Sequence, residues 1–313
     1  MQENPAYIEK LQSYADTLHD FYMRALKLNP FELLCSILRV DGPEDMDWDF
    51  YEDSQVAFEG FQGSDKVARE GQTENQSYQG KLTLYSHMVE MAAPHEMLAN
   101  ILRAVSHKDY LVKPFGCLGR PTSGPAFSWI GLSTRDKFDE LKRQAVEVGE
   151  VKLSECIDRF FDETLRGAIS NSDYELTEEF FKWAENGIPQ QRSLESVDEI
   201  VLNGFAFYNA FLANHKHFKM MFREMCRFHK WPNYQVFEVL SEEETGLFGF
   251  NIHFANGSKS TFIRNQEGTD TQNIFHSPDG SIQFSSGFID ALEKKWKING
   301  EEVCDWKEFS NAN

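Results

Sequence analysis

Residues 153–174 read LSECIDRFFDETLRGAISNSDY. Leu153, Cys156, Ile157, Phe160, Phe161, Leu165 and Ile169 recur at steps of three and four, so residues 153–170 are expected to form a helix with one apolar face. Downstream, residues 174–183 (YELTEEFFKW) fit either a short hairpin strand or a helix. Residues 193–225 carry Val197, Ile200, Val201, Phe205, Phe207, Tyr208, Phe211 and Leu212, the pattern of a long amphipathic helix. Upstream, residues 132–148 predict a helix with Ser133 and Thr134 as caps and Phe138, Leu141 and Ala145 on one face.

The same periodicity organises the N-terminal part. Leu11, Tyr14, Leu18, Phe21, Tyr22, Ala25 and Leu28 mark a helix within residues 6–40. Asn29-Pro30 breaks it, and Pro30 opens a second helix through Leu33, Leu34, Ile37 and Leu38. An acidic stretch from Gly42 to Asp53 and a polar one from Phe61 to Gly80 read together as a mobile loop, about 42–80. Residues 85–107 are helical again, split at Pro94, and residues 110–132 (YLVKPFGCLGRPTSGPAFSWIGL) form an ordered, irregular loop. After Pro232 come short β-rich runs at 236–240, 247–254, 260–264 and 281–284, with turn signals at Asn256-Gly257 and Asp279-Gly280 and a helix-like segment at 289–296. The expected class is mainly α with a small α+β C-terminal part. A helical domain occupies 1–230, with its bundle core at about 130–225; a β-rich domain follows at 233–300 and a tail at 301–313.

The 27 phenylalanines among 313 residues demand well-packed apolar faces and exclude a disordered chain. The net charge of −19 repels nucleic acid and anionic membranes at long range, so no DNA or membrane partner is expected and any RNA contact must be local. The five cysteines are scattered without zinc spacing, and the opening residues lack the apolar stretch of a signal peptide. The expectation is a cytoplasmic protein with reduced thiols, no metal and no cofactor.

Leu165 to Tyr174 (LRGAISNSDY) resembles the signature of the HEPN superfamily, one common form of which is R-N-A-I-A-H-S-x-Y. Arg166, Ala168, Ile169, Ser172 and Tyr174 match; Gly167 and Asn171 stand where a polar residue and a histidine are usual. The downstream FAFYNAF, Phe205 to Phe211, adds to the likeness. The resemblance spans roughly residues 130–220. It implies a four- or five-helix bundle that pairs into a homodimer, with the motif residues of both subunits meeting at the interface. It further implies either a metal-independent ribonuclease, often of toxin–antitoxin, CRISPR or phage-defence systems, or a non-catalytic binder of RNA, a nucleotide or a protein partner.

Metal-free RNA cleavage needs a titratable group to move a proton and a cation to hold the developing charge. Arg166 suits the second task, because guanidinium grips phosphate in a fork. Asn171 has no proton to exchange at neutral pH, and loss of a general acid or base costs about 10²–10⁴ in rate. Five residues apart on one helix, the two lie about 140° apart, so the helix ends between them or two subunits combine their groups. Arg166 could instead pair with Asp162 or Glu163, or with the partner subunit. Asn171 could sit at a helix C-terminus, where asparagine tolerates left-handed geometry. Tyr174 and, if its loop folds back, His107 are the other candidates for proton transfer.

Two cationic segments are candidate binding sites. Lys113 and Arg120 lie in the Gly-rich loop, whose amides near Gly116 and Gly119 could cradle an anion, although no G-K-[ST] follows. Lys219, Arg223 and Arg227 end the long helix, with His229 and Lys230 beyond, and suit either its dipole or a phosphate track beside Phe222, Phe228 or Trp231. His215 and His217 lie about 200° apart on the helix, which makes them a polar face and not a metal pair.

Three readings follow: a catalytically degenerate HEPN-like binder acting through an Arg166 dimer cleft, a ribonuclease using a base other than Asn171, and an adaptor with no nucleic-acid role. Arg166 exposed in a cleft favours the first two. Arg166 sealed by an internal carboxylate favours the third.

Overall fold

The computed structural model describes residues 5–38, 74–111, 114–115, 120–121, 129–130, 132–185, 187–230, 235–242, 246–253, 259–263, 273–276, 282–285, 288–290, 295–298 and 301–305. Among these, eight helices run in the order α1 Pro5–Leu28, α2 Pro30–Leu38, α3 Glu74–Glu90, α4 Ala92–Val105, α5 Thr134–Glu147, α6 Val151–Phe160, α7 Glu163–Ser170 and α8 Leu194–Met225. The protein is mainly helical, with a small β part at its C-terminal end.

The described residues fall into two compact units. The first draws on Met1–His19, Tyr51–Pro94 and Thr134–Ala213. Its core is built around Phe160 at the end of α6. Phe160 stacks on Phe207 of α8 at 4.4 Å and meets Phe138 of α5 edge-on at 5.6 Å; Tyr14 of α1 meets Phe207 edge-on at 5.7 Å. Such ring pairs add about 0.5–1.5 kcal/mol each beyond their burial. α3 and α8 approach closely at Gly204, where a Cβ would lie 2.9 Å from the Met88 side chain and 3.1 Å from the Tyr85 ring. α5 ends on Gly149, whose φ of +82° lets the Glu150 N–H reach the Ala145 carbonyl at 2.7 Å.

Three findings here differ from the sequence reading. Residues 153–170 form two helices, because Phe161 is extended (φ −96°, ψ 116°) and Asp162 caps a new helix. Residues 174–193 form an antiparallel sheet inside the predicted all-helical region: β3 Tyr174–Leu176, β4 Phe180–Glu185 and β5 Ile188–Ser193, in that order. Of the two alternatives for 174–183 the strand holds, because Phe181 is buried and stacks under Tyr174, while Lys182 faces the other way. Residues 74–80, assigned to the polar loop, begin α3; the rest of that loop lies outside the described residues.

The second unit draws on Asp20–Phe50, His95–Ser133 and Asn214–Asn313. Its main sheet is fully antiparallel: β6 Arg227–Lys230, β7 Gln235–Glu242, β8 Gly246–His253 and β9 Lys259–Ile263. Phe31 of α2 packs on this sheet, 4.4 Å from the Phe237 ring and 5.4 Å from Phe250. Asn29, the break between α1 and α2, donates to the Ala104 carbonyl at 2.6 Å. Two short strands, β1 Arg120–Pro121 and β2 Trp129–Ile130, pair within the irregular loop. The remaining strands are the hairpin β10 Asn273–His276 and β11 Ile282–Ser285, and the meander β12 Phe288–Asp290, β13 Lys295–Ile298 and β14 Glu301–Asp305. The meander replaces the helix expected at 289–296 and takes in part of the expected tail, since Ile289, Trp296 and Cys304 lie in cross-strand register. The turn signals at 256–257 and 279–280 lie outside the described residues.

Replacing Gly204 by valine forces the Tyr85 ring and Met88 to move. The expected result is a loss of about 1–3 kcal/mol, read from the urea midpoint at unchanged m-value.

Candidate functional site

The motif begins at a break in the chain that side chains must stitch. The buried Tyr85 of α3 donates its hydroxyl to the Phe160 carbonyl at 2.8 Å and receives the Asp162 N–H at 3.3 Å. Burial pushes that hydroxyl well above its ordinary pKa, which keeps it a donor at every physiological pH. Asp162 caps α7: one carboxylate oxygen accepts from the Leu165 N–H at 2.7 Å, and the other accepts from Arg192 of β5 at 2.7 Å. The Ser86 and Ser170 hydroxyls, 2.8 Å apart, join α3 to the far end of α7.

Arg166 lies on α7 and is half-buried. Its side chain is 20% exposed, one terminal nitrogen lies 2.7 Å from Glu90 of α3, and the other lies 2.5 Å from Glu163. Its Nε and the second oxygen of Glu163 are buried without a hydrogen-bond partner. Burial works against the guanidinium charge, but Glu163 and Glu90 outweigh it and raise its pKa. Glu90 also accepts from the Thr134 hydroxyl at 2.6 Å, so one carboxylate ties the end of α3 to α7 and to the start of α5. The sequence named Glu163 as a partner. Glu90 was invisible there, 76 residues away and in no motif.

Asn171 is the C-cap of α7, in right-handed geometry (φ −87°, ψ −5°), with an exposed side chain. The left-handed residue is the next one, Ser172 (φ +55°). The N–H groups of Ser172 and Asp173 bond the Ile169 and Ala168 carbonyls at 3.0 and 2.9 Å, a Schellman end with serine in the position usually held by glycine. Tyr174 opens β3 and stacks on Phe181, with ring centroids 5.0 Å apart. Burial raises its hydroxyl above the ordinary value, so it stays protonated at neutral pH.

Beside this motif end lies an open cavity of about 620 Å³, walled by Ser172 and Asp173 together with residues of β3, β4 and β5, among them Tyr174, Glu175, Lys182 and Trp183. The second half of the motif thus lines a cavity, while Arg166 is held in a carboxylate clamp. A second cavity, of about 510 Å³, lies beside Lys10, Tyr14, Arg159 and Glu199. Four of its polar groups pair with one another: Lys10 with Glu199 at 2.5 Å, and Tyr14 with Asn203 at 2.9 Å.

The remaining predicted site residues belong to the second unit. His107 is the left-handed residue (φ +57°) that ends α4, and its Nδ1 lies 3.4 Å from the Asn29 amide. Lys113 and the side chain of Arg120 lie outside the described residues. Arg223 is exposed on the last turn of α8, and Lys219 lies one turn before it. Arg227 is committed to Glu238 at 2.6 Å. Phe222 is fully buried and offers no ring to a base; the side chains of Phe228 and Trp231 lie outside the described residues. His215 is buried, not part of a polar face as the sequence suggested, and burial pushes its pKa well down.

Arg227, Glu238, Asn251 and Thr261 form one cross-strand row over the four-stranded sheet. Glu238 accepts from Arg227, from the Asn251 amide at 3.0 Å and from His253 at 2.8 Å, which together hold its carboxyl down at about 2. Among the described residues, no group of three or more His, Cys, Asp and Glu is placed to hold a metal. No helix among them is long and apolar enough to cross a membrane. No protein-family model, curated protein or solved structure matches the chain.

Two outcomes are expected. Asp162→Ala removes a helix cap and leaves Arg192 without its acid, so chemical denaturation should report a loss of about 1–3 kcal/mol, with Asp162→Asn milder. Because the folded pKa of Glu238 lies below its unfolded value, its contribution is complete above pH 4.5 and disappears as the pH falls towards 2. Thermal melts between pH 2 and 6 should show an acid-dependent component that Glu238→Gln lacks.

Proposed function

We propose that this chain is a HEPN-like protein that has lost cleavage chemistry and acts by binding, as an adaptor for a protein partner. The observation that carries the reading is the double carboxylate on Arg166. A guanidinium with both terminal nitrogens on carboxylates has no fork left for a phosphate, and the local charge of two acids against one base repels one. Asn171 adds no proton-transfer group, and the pKa of Tyr174 is shifted the wrong way for a base. The 165–174 segment lies on the short helix α7 and the start of β3, with the β3–β5 sheet between it and the long α8. We retain the homodimer of the family as part of the proposal. We place the protein in the cytoplasm, where the thiols of Cys35, Cys156 and the exposed Cys226 stay reduced.

A second reading has one observation in its favour. Glu90 is a titratable group beside Arg166, which Asn171 is not, and it is 38% exposed. It would serve a metal-independent ribonuclease as the proton acceptor.

The deciding experiment incubates total RNA and tRNA in EDTA with the chain, Arg166→Ala, Glu90→Gln and Asn171→His, beside thermal melts of each. The expected result is no cleavage by the unaltered chain and a stability loss of roughly 1–2 kcal/mol in Arg166→Ala, whose two carboxylates are left facing each other. Cleavage that disappears in both Arg166→Ala and Glu90→Gln replaces this reading with the ribonuclease.

A further inference from the structure

The cavity of about 510 Å³ in the first unit shares no residue with the motif and is walled by three helices, α1, α6 and the first turns of α8. Ala6, Glu9, Lys10 and Ser13 recur at steps of three and four, so they share one face of α1. Ala6 and Ser13 are small, which leaves the hollow between the longer side chains of that face. Glu199 and Asn203 sit one turn apart on α8, and Arg159 comes from α6. The volume falls within the range of small-molecule sites.

The floor of this groove is polar although it is buried. Tyr14 and Asn203 are 2% and 5% exposed, and Asn203 interrupts the apolar side of α8 between Val201 and Phe205. The Tyr14 hydroxyl donates to Asn203 Oδ1 at 2.9 Å. The Asn203 amide donates to the Glu199 carbonyl at 2.8 Å and to Glu199 Oε1 at 3.3 Å, and Lys10 donates to the same Oε1 at 2.5 Å. Such a connected network is ordered before a ligand arrives, and it fixes which lone pairs stay open. Burial raises the Tyr14 hydroxyl above its ordinary value, so its proton stays on Asn203 and its oxygen remains an acceptor. The Lys10 ammonium holds Glu199 below the usual carboxylate range, and among the described residues Glu199 Oε2 receives no hydrogen bond.

The groove therefore offers acceptors from α1 and α8 and an unengaged guanidinium from α6. Arg159 is 56% exposed, and its nearest acid among the described residues, Glu155, lies 3.8 Å away, beyond hydrogen-bond distance. Its fork is open to a carboxylate, and the Ser13 hydroxyl adds a donor beside it. Lys10 and Arg159 balance Glu9 and Glu199, so the wall carries both signs and no net charge. A phosphate-bearing ligand is repelled by the field of a chain at −19. A small molecule with one ammonium and one carboxylate crosses that field without penalty and finds a counter-charge for each end.

We infer that this groove binds a small zwitterion, an α-amino acid or a dipeptide, with its ammonium on Glu199 and the Tyr14 oxygen and its carboxylate on Arg159 and the Ser13 hydroxyl. The site is built from other residues than the Arg166 clamp, and it stands whichever way RNA cleavage is decided. A ligand seated there joins α1 to α6 and α8, so occupancy stabilises the first unit.

The test is calorimetric titration of the full chain with the proteinogenic amino acids and with glycyl dipeptides. Each compound that binds is repeated as its N-acetyl form, which lacks the ammonium, and as its amide, which lacks the carboxylate. The chain is compared with Arg159→Gln, Glu199→Gln and Lys152→Gln; the last removes an exposed charge from α6 outside the groove. At least one zwitterion is expected to bind with a Kd of about 1 mM or tighter, and the two panels separate amino acid from dipeptide. Removing either charge of the ligand should weaken binding roughly tenfold or more, and Arg159→Gln and Glu199→Gln roughly fivefold or more, with Lys152→Gln unchanged. Arg159→Gln alters an exposed side chain that holds nothing at hydrogen-bond distance, so it keeps the test valid if Glu199→Gln, which also breaks the Lys10 pair, misfolds. No binding by any member of either panel, binding that survives loss of both charges, or equal loss in Lys152→Gln and Arg159→Gln overturns the inference. RNA cleavage by a chain that also binds a zwitterion defeats the adaptor reading and leaves this site standing.

Discussion

The break between α6 and α7 is the constraint on which the motif region depends. Two adjacent residues, Phe161 and Asp162, leave the helical path, and the polar groups they free must be satisfied at the edge of an aromatic core. One buried tyrosine and one aspartate do this. Tyr85 takes the Phe160 carbonyl and the Asp162 N–H, while Asp162 caps α7 and receives Arg192 from β5. The break therefore fixes α3, α6, α7 and the small sheet against one another. It also lets Phe160 and Phe161 approach Phe138 from consecutive positions, at 5.6 and 4.2 Å, which one continuous helix would place about 100° apart.

That geometry decides the state of the motif arginine. With α7 held against the end of α3, Arg166 and Glu90 fall within ion-pairing distance, and Glu163 completes the clamp from the same helix. A carboxylate at a helix C-terminus is unfavourable by itself, because it faces the negative end of the dipole. Arg166 and the Thr134 hydroxyl offset that cost for Glu90. The residue that would grip phosphate in an active ribonuclease here joins helices.

The second unit follows a different logic. One face of its four-stranded sheet is apolar and packs Phe237 and Phe250 against Phe31. The other carries the polar row from Arg227 to Thr261, in which Glu238 collects three donors. Arg227 belongs to that row, so the basic patch at the end of α8 is smaller than composition suggests.

Local signals were legible in the sequence because they depend on near neighbours. Apolar spacing located the long helices, Asn29-Pro30 marked the first break, and aromatic runs with β-branched residues marked β7, β8, β9 and β11. The segment 165–174, with an asparagine at 171, was likewise plain, as was Glu163, three residues from Arg166. What stayed hidden rests on contacts distant in the chain. The periodicity of 153–170 runs unbroken through Phe161, and only Tyr85 and Arg192 make a break there stable. Residues 188–193 (IPQQRS) have little strand character of their own and pair because β4 offers a partner. Glu90 reaches Arg166 across 76 residues, and Phe222 and His215 are buried by elements that no local pattern names. The sequence by itself determined the long helices, the β-rich end and the residues of the 165–174 segment. Tertiary structure alone decided that Arg166 is clamped and that a cavity lies beyond the end of α7, because ion pairing and burial depend on proximity in space, which spacing along the chain does not encode.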